Sequence, residues 1–183
     1  LHPTLLMLLG AALLPLLPGR LRQAWMVLVP TAVVLLMFTL SAEESGAISL
    51  FGMELMMFRA DALSLAFGQA FALVAFVGAI YALHVPDKLQ HTAAFAYVGA
   101  ALGVIFAGDL ITLYVVWEMM MISSVWLIWC QREPAALAAG MRYLLMHAFG
   151  GVILLGGIIL LYLETGSVRF DAVVSSGWGF HLL

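Results

Sequence analysis

Apolar residues form long stretches along this chain, and its few charged residues fall mainly between them. A helix that spans a bilayer needs about 20 mostly apolar residues, with about 17 as a short limit. The pattern predicts an all-α integral membrane protein, a polytopic bundle of about six transmembrane helices that forms a single domain over residues 1–183. The predicted helices are Pro3–Leu17, Ala24–Leu40, Ala62–Leu83, Thr92–Ala107, Leu110–Trp129 and Ala135–Leu163.

Two segments fall outside this pattern. Residues 41–61 carry five charged side chains, and the stretch 47–54 is typical of short strands around a glycine turn, so we predict a hairpin-like loop outside the membrane. Residues 168–183 are predicted to be a polar connection followed by the start of a possible seventh helix. Because the chain begins without methionine and closes on an apolar run, we expect a fragment, with the rest of the protein missing.

Composition supports the membrane assignment. Hydrophobic residues make up 65% of the chain and charged residues 9%, against about 25% charged in a soluble domain. A net charge of -3 without a basic run excludes a nucleic-acid partner, and a single cysteine excludes a disulfide framework or a cysteine metal cluster. We identify no cofactor motif, phosphate loop or catalytic nucleophile, and therefore predict no cofactor and no enzyme activity.

The basic residues of the loops predict an orientation. Arg20, Arg22, Lys88 and Arg132 fall on one side of the predicted membrane, and Arg59 and Arg169 fall on the other. Because cytoplasmic loops carry the excess of Lys and Arg, the first side is predicted to be cytoplasmic and the N-terminus to face outward. The expected location is the bacterial inner membrane.

Glu118 is the principal candidate for chemistry. It lies about eight residues from one end of predicted helix 5 and about eleven from the other, near the middle of the membrane at about 1.5 Å per residue. A carboxyl at that depth must be paired, neutralised or in contact with internal water, and each state makes it a plausible proton carrier. The alternative is a neutral side chain hydrogen-bonded to a neighbouring helix.

Three further side chains are candidates for the same proton pathway. Counting from the short link 131–134, His147 is predicted to lie close to the depth of Glu118, where an imidazole could relay a proton or merely bond a carbonyl. Arg142 cannot release its proton, so it is predicted to act as a fixed positive charge or to reach the cytoplasmic interface. Tyr114 precedes Glu118 by one turn on the same face and could hydrogen-bond it.

Smaller residues on the predicted helices have mainly structural interpretations. Glycines recur at four-residue spacing, as in Gly99 and Gly103, and are interpreted as packing positions. The pairs 150–151 and 156–157 could mark either a bent helix or a tight crossing. Ser123 and Ser124 could bind water, although serines in membrane helices often bond their own backbone.

The stretch 106–120, which includes Trp117 and Glu118, closely resembles helix 5 of the antiporter-like membrane subunits shared by Mrp-type cation/proton antiporters and respiratory complex I. The segments 58–64, 142–143 and 165–167 support this resemblance. Ser123-Ser124 look more like the D-type Mrp subunits. The resemblance implies a larger bundle in which Glu118 is the essential carboxylate and pairs with a lysine on a broken seventh helix. Family members often have lysine in place of Arg142, which favours a fixed-charge role here.

The leading hypothesis is a subunit of a multisubunit monovalent cation/proton antiporter that conducts protons past Glu118. Its expected partners are the lipid bilayer, other membrane subunits, protons and a cation, either Na⁺ or K⁺. One alternative is a proton-translocating subunit of a redox-driven complex, such as respiratory complex I or a membrane-bound hydrogenase. Another is a membrane scaffold subunit that transports nothing.

Overall fold

A computed structural model describes residues 2–50 and 53–175. The chain begins with helix α1 (Pro3–Leu13), which the His2 ring caps by accepting a hydrogen bond from the Thr4 amide at 3.2 Å. Because Pro15 lacks the N–H that would continue the helix, α1 passes into a 3₁₀ turn at Leu14–Leu16. Helix α2 (Gly19–Thr39) follows Pro18 and includes Pro30.

A two-stranded antiparallel hairpin follows α2. Strand β1 (Glu43–Leu50) pairs with strand β2 (Met53–Ala60), and Ile48 lies opposite Leu55. Leu55, Phe58 and Ala60 on β2 are buried against the helices. The two strands lie within 41–61, where the sequence predicts short strands, and the predicted glycine turn falls at 51–52, outside the described residues. The position of this hairpin outside the membrane stays a prediction.

Five more helices complete the described chain. They are α3 (Ala62–Tyr81), followed by a 3₁₀ turn at Ala82–His84, then α4 (Lys88–Ile105), α5 (Leu110–Trp129), α6 (Pro134–Thr165) and the short α7 (Phe170–Ser175). Asp61, Asp87 and Asp109 cap α3, α4 and α5 with their carboxylates. Helix α6 ends at Gly166, whose φ of 69° is the left-handed conformation that favours glycine.

Helix α4 lies at the centre of the packing. It contacts α1, α3 and α5, whereas α2 packs on α1 and α3, and α6 packs on α5. The main core includes Met7, Met37, Phe58, Leu102 and Phe106, and the rings of Phe58 and Phe106 stack at 5.3 Å. Gly99 and Gly103 in α4 face Leu8 and Val116, where an added Cβ would come within 2.9 Å of each. These two glycines occupy close helix contacts, as predicted.

The described residues contain four helices that are long and apolar enough to cross a bilayer, namely Gly19–Thr39, Ala62–His84, Leu110–Trp129 and Pro134–Thr165. The other two predicted spans are also helical, but α1 has only 11 residues and α4 begins with the polar residues Lys88, Gln90 and His91. Many leucine, isoleucine, valine and phenylalanine side chains of the long helices are exposed. The all-α polytopic membrane fold is thus confirmed.

The two ends of the bundle carry separate ion pairs. At one end Arg132 in the α5–α6 link contacts Asp87 before α4 at 3.0 Å. At the other end Asp171 contacts Arg59 of the hairpin at 3.8 Å and Arg169 at 3.6 Å. Helices α3 to α6 therefore alternate in direction, and the outward position of the N-terminus stays a prediction.

Candidate functional site between α5 and α6

Glu118 lies in the third turn of α5 and faces α6. Its side chain is half-buried, and its Oε1 atom lies directly over Gly151, so that a Cβ added at Gly151 would overlap this oxygen. The same added Cβ would be 3.4 Å from the Glu118 Cδ and 3.8 Å from Cε2 of Tyr114. The carboxyl thus rests against the backbone of α6.

Helices α5 and α6 pack in one antiparallel register. Near the link between them, the Trp129 indole covers Gly140, and its Nε1 donates to the Leu137 carbonyl at 3.4 Å. Trp129 follows Glu118 by eleven residues, and Gly140 precedes Gly151 by eleven. Both contacts therefore fit a single register in which Gly151 is the residue opposite Glu118.

His147 lies one helical turn before Gly151 on α6. Its ring packs against Trp117 and against Tyr143, with centroid separations of 5.5 Å in both cases. Its Nε2 atom is buried and has no hydrogen-bond partner within the described chain. An uncompensated buried nitrogen is costly, which makes this atom a candidate for contact with a proton, water or a group outside the described residues.

A groove of about 540 Å³ opens beside this histidine, and residues of α5 and α6 line it. It is mostly apolar, and its lining comprises Leu113, Trp117, Met146, His147, Gly150, Ile153 and Leu154. The Glu118 carboxyl is not part of this lining. The groove therefore adjoins His147 and not the Glu118 carboxyl.

The four predicted pathway residues are not joined into one hydrogen-bonded network. Within residues 2–50 and 53–175, no ion pair links Glu118 to His147 and no hydrogen bond links Tyr114 to Glu118. Arg142 is exposed on α6, away from the buried positions of that helix. The roles predicted for these side chains in proton transfer stay predictions.

The two serines of α5 bond their own helix. Ser123 Oγ donates to the carbonyls of Met119 and Met120, at 2.7 and 3.1 Å, and Ser124 Oγ donates to that of Met120 at 2.7 Å. Both serines therefore bond their own backbone, which was the alternative to binding water, and neither hydroxyl proton is left for another acceptor.

Sequence reasoning missed Asp109, which is fully buried. Its carboxylate accepts hydrogen bonds from the Met56 amide at 2.8 Å and from both the amide and the hydroxyl of Thr112 at 2.7 Å. It therefore fixes the start of α5 to the hairpin. The signal that could have found it was an aspartate at the start of an apolar run with threonine three residues later, which is a common helix N-cap pattern.

Among the described residues outside the spanning helices, three groups have altered acidity. Burial lowers the pKa of His2, and the Ser64 amide that binds the Asp61 carboxylate lowers the pKa of Asp61. Burial, with a smaller effect of Asp87, raises the pKa of the Cys130 thiol. Among the described residues, no group of three or more His, Cys, Asp or Glu side chains could hold a metal ion.

Comparison with known proteins gives these features a context. Residues 107–181, which include α5, α6 and Glu118, match the family described as NADH:quinone oxidoreductase/Mrp antiporter, TM. Over 172 residues the chain is 31% identical to the A1 subunit of the Na(+)/H(+) antiporter of Staphylococcus aureus strain bovine RF122 / ET3-1, an alignment that covers 85% of this chain. The chain belongs to the antiporter-like membrane subunit family. A second family member, the A subunit of the Na(+)/H(+) antiporter of Alkalihalophilus pseudofirmus, is 38% identical over 82 residues, 44% of this chain.

Chains of three solved membrane complexes share the fold. The chain superimposes with a TM-score of 0.84 on the archaeal membrane-bound sulfane sulfur reductase, at 21% identity and 95% coverage of this chain. For respiratory complex I from Thermus thermophilus the TM-score is 0.81, at 24% identity and 95% coverage, and for the Mrp complex from Dietzia sp. DQ12-45-1b it is 0.80, at 22% and 97%. The matched chains are longer, because this chain covers 29%, 38% and 21% of them, respectively.

The two antiporter relatives are also longer than this antiporter-like chain. It spans 21% of the length of the Staphylococcus relative and 10% of the Alkalihalophilus relative. Both relatives are A subunits, so their type differs from the D type that Ser123-Ser124 favoured.

Proposed function

We propose that this chain is part of a subunit of a multisubunit monovalent cation/proton antiporter and that protons pass through Glu118. Its homology to the A subunits of Na⁺/H⁺ antiporters supports the antiporter class, and the exposed apolar surfaces of its long helices support assembly with lipid and further membrane subunits. The proposal includes a bacterial inner-membrane location, an outward N-terminus and no enzyme activity of the chain itself.

The observation that carries the proposal is the environment of Glu118. The carboxyl lies within an apolar spanning helix, against the backbone of α6, and within the described chain it has no ion-pair partner. A carboxyl in a membrane helix is costly unless it has a function or a partner, so intramembrane acids are functional by default. Reversible protonation is the chemistry open to such a group.

His147, Tyr114 and Arg142 have subordinate roles in this proposal. The unpartnered Nε2 of His147 would accept and release a proton beside the groove that residues of α5 and α6 line. Tyr114 would keep the Glu118 side chain on its face of α5. Arg142 would supply a fixed positive charge from the exposed side of α6.

The decisive experiment replaces Glu118 in the complete subunit within its assembled complex. Cation-dependent proton movement would be measured in everted membrane vesicles with a pH-sensitive dye, separately for Na⁺ and K⁺. Glu118→Gln removes the titratable proton at nearly constant size, and we expect transport to fall by about 100-fold, the scale of a positioned proton-transfer group.

Glu164→Gln is the matched control, because Glu164 is an exposed glutamate near the end of α6. It should transport normally, and both variants should assemble to wild-type levels. Normal transport by an assembled Glu118→Gln complex would refute the proposed pathway and leave the scaffold interpretation.

A redox-driven pump is the second candidate, and the family match favours it because that family joins NADH:quinone oxidoreductase and Mrp antiporter proteins. The same vesicles distinguish the two functions. An antiporter moves protons when Na⁺ or K⁺ is added to an imposed gradient, whereas a redox pump acidifies the vesicle lumen only when an electron donor is oxidised.

A further inference from the structure

Gly151 differs from the nearby glycines of α6 in what lies against it. It is buried, and the space that its side chain would occupy is filled by the end of the Glu118 side chain. By contrast, a Cβ added at Gly150, Gly156 or Gly157 would meet nothing within 4 Å. The contact at Gly151 is therefore specific and does not follow from the general abundance of glycine.

The atoms involved indicate which group would yield if Gly151 carried a methyl group. The overlap is with Oε1, the far end of a flexible side chain, while Cδ would be 3.4 Å away and the Tyr114 ring 3.8 Å away, both ordinary contact distances. Rotation of the Glu118 side chain relieves the overlap without separating α5 from α6. Because Gly151 has no side chain, the Glu118 carboxyl can rest against the α6 backbone.

We propose that Gly151 is a positioning residue that holds the Glu118 carboxyl against the α6 backbone for proton transfer. This inference rests on the proposed function of Glu118. Glycine at this position costs about 1 kcal/mol of helix stability relative to alanine. Positioning of the Glu118 carboxyl would explain why glycine occupies the site despite that cost. Displacement of a reacting group by about 1 Å can lower a rate by about 100-fold.

The test compares Gly151→Ala with Gly157→Ala in the complete subunit within its assembled complex. The two substitutions are chemically identical and lie on the same helix, but only the first displaces a carboxyl. We expect Gly151→Ala to lower cation-dependent proton transport by about ten- to 100-fold with normal assembly. Gly157→Ala should retain wild-type transport.

A double variant separates positioning from general damage to the helix pair. Glu118→Asp shortens the side chain by one methylene, which withdraws the carboxyl from α6 and makes room for the added methyl group. If Gly151 acts through Glu118, the loss in the double variant is smaller than the product of the two single losses. Losses that multiply would overturn the proposal, as would normal transport by Gly151→Ala.

Loss of assembly in Gly151→Ala would also overturn it, because the proposal requires the side chain and not the helix to yield. Failure of this inference can be distinguished from failure of the proposed function. If Glu118→Gln abolishes transport while Gly151→Ala leaves it unchanged, the proposed function of Glu118 stands and the positioning role of Gly151 is refuted.

Discussion

Replacement of Asp109 by alanine should detach the hairpin from the start of α5. The Asp109 carboxylate is fully buried and is the acceptor for the amides of Met56 and Thr112 and for the Thr112 hydroxyl. Two backbone contacts reinforce the same junction, since the Arg59 amide donates to the Phe106 carbonyl at 2.9 Å and the Gly108 amide donates to the Met56 carbonyl at 3.1 Å. The carboxylate is thus the central acceptor of this junction.

The expected cost follows from the bonds that are lost. The Met56 amide loses a charged acceptor, which costs about 2 kcal/mol when the donor is left unsatisfied. Loss of the helix N-cap at the Thr112 amide adds about 1 kcal/mol. The total of about 3 kcal/mol corresponds to about a 100-fold change in the opening equilibrium of the junction.

Amide hydrogen exchange measured by mass spectrometry on the detergent-solubilised protein reports this opening directly. In Asp109→Ala, the amides of Met56, Arg59 and Gly108 should exchange about 100-fold faster. Asp61→Ala is the matched control, because Asp61 also caps a helix but is exposed to solvent, so water can replace its oxygen atoms. Unchanged exchange in Asp109→Ala, or an equal effect of Asp61→Ala at Met56, would refute the reasoning.

Two further substitutions test the packing at the end of the bundle where α5 passes into α6. The loop charges predict that this end is cytoplasmic. Gly140→Ala should destabilise the protein by about 1–3 kcal/mol, seen as a lower thermal unfolding midpoint, because the new Cβ overlaps Nε1 of Trp129 and would lie 2.7 Å from its Cδ1. Asp87→Asn should speed maleimide labelling of Cys130 at a fixed pH, because burial and then Asp87 raise the pKa of this thiol and the thiolate is the reactive form.

These two predictions have internal controls. Gly156→Ala adds the same methyl group to α6 without a neighbour, so its midpoint should not fall. Asparagine keeps the helix N-cap at position 87, so unfolding should not account for faster labelling. An unchanged midpoint in Gly140→Ala, or slower labelling in Asp87→Asn, would contradict the respective argument.

Hydrophobic pattern alone predicted the helices well where polar residues marked their ends. The bounds of α5, Leu110–Trp129, agree with the prediction, and α3 begins at the predicted Ala62. Errors occurred where polar residues lie inside a helix: α2 begins at Gly19 instead of Ala24, and α4 at Lys88 instead of Thr92. Capping and a fixed proline φ extend these helices into polar sequence, which hydropathy does not register.

The geometry of the site depended on packing that the sequence does not encode locally. Counting from the link indicated that His147 lies near the depth of Glu118, whereas the contact between Trp129 and Gly140 sets a register that brings Gly151 opposite Glu118. The hydrogen bond between Asp109 and the Met56 amide could not be predicted from the sequence either, because Met56 lies 53 residues away in the chain. Such long-range contacts arise only when the hairpin and helices pack together.

Helix α5 is held at both ends, and this limits the kind of motion that transport can use. At its start, the Leu110 amide donates to the Val168 carbonyl at 3.0 Å, next to the buried Asp109. After its end, Arg132 in the link to α6 forms an ion pair with Asp87. Translation of α5 along its axis would break the contacts at both of its ends together. If protons pass Glu118 as proposed, side-chain rotation and reordering of water are the motions that these contacts leave available, because the helix itself stays in place.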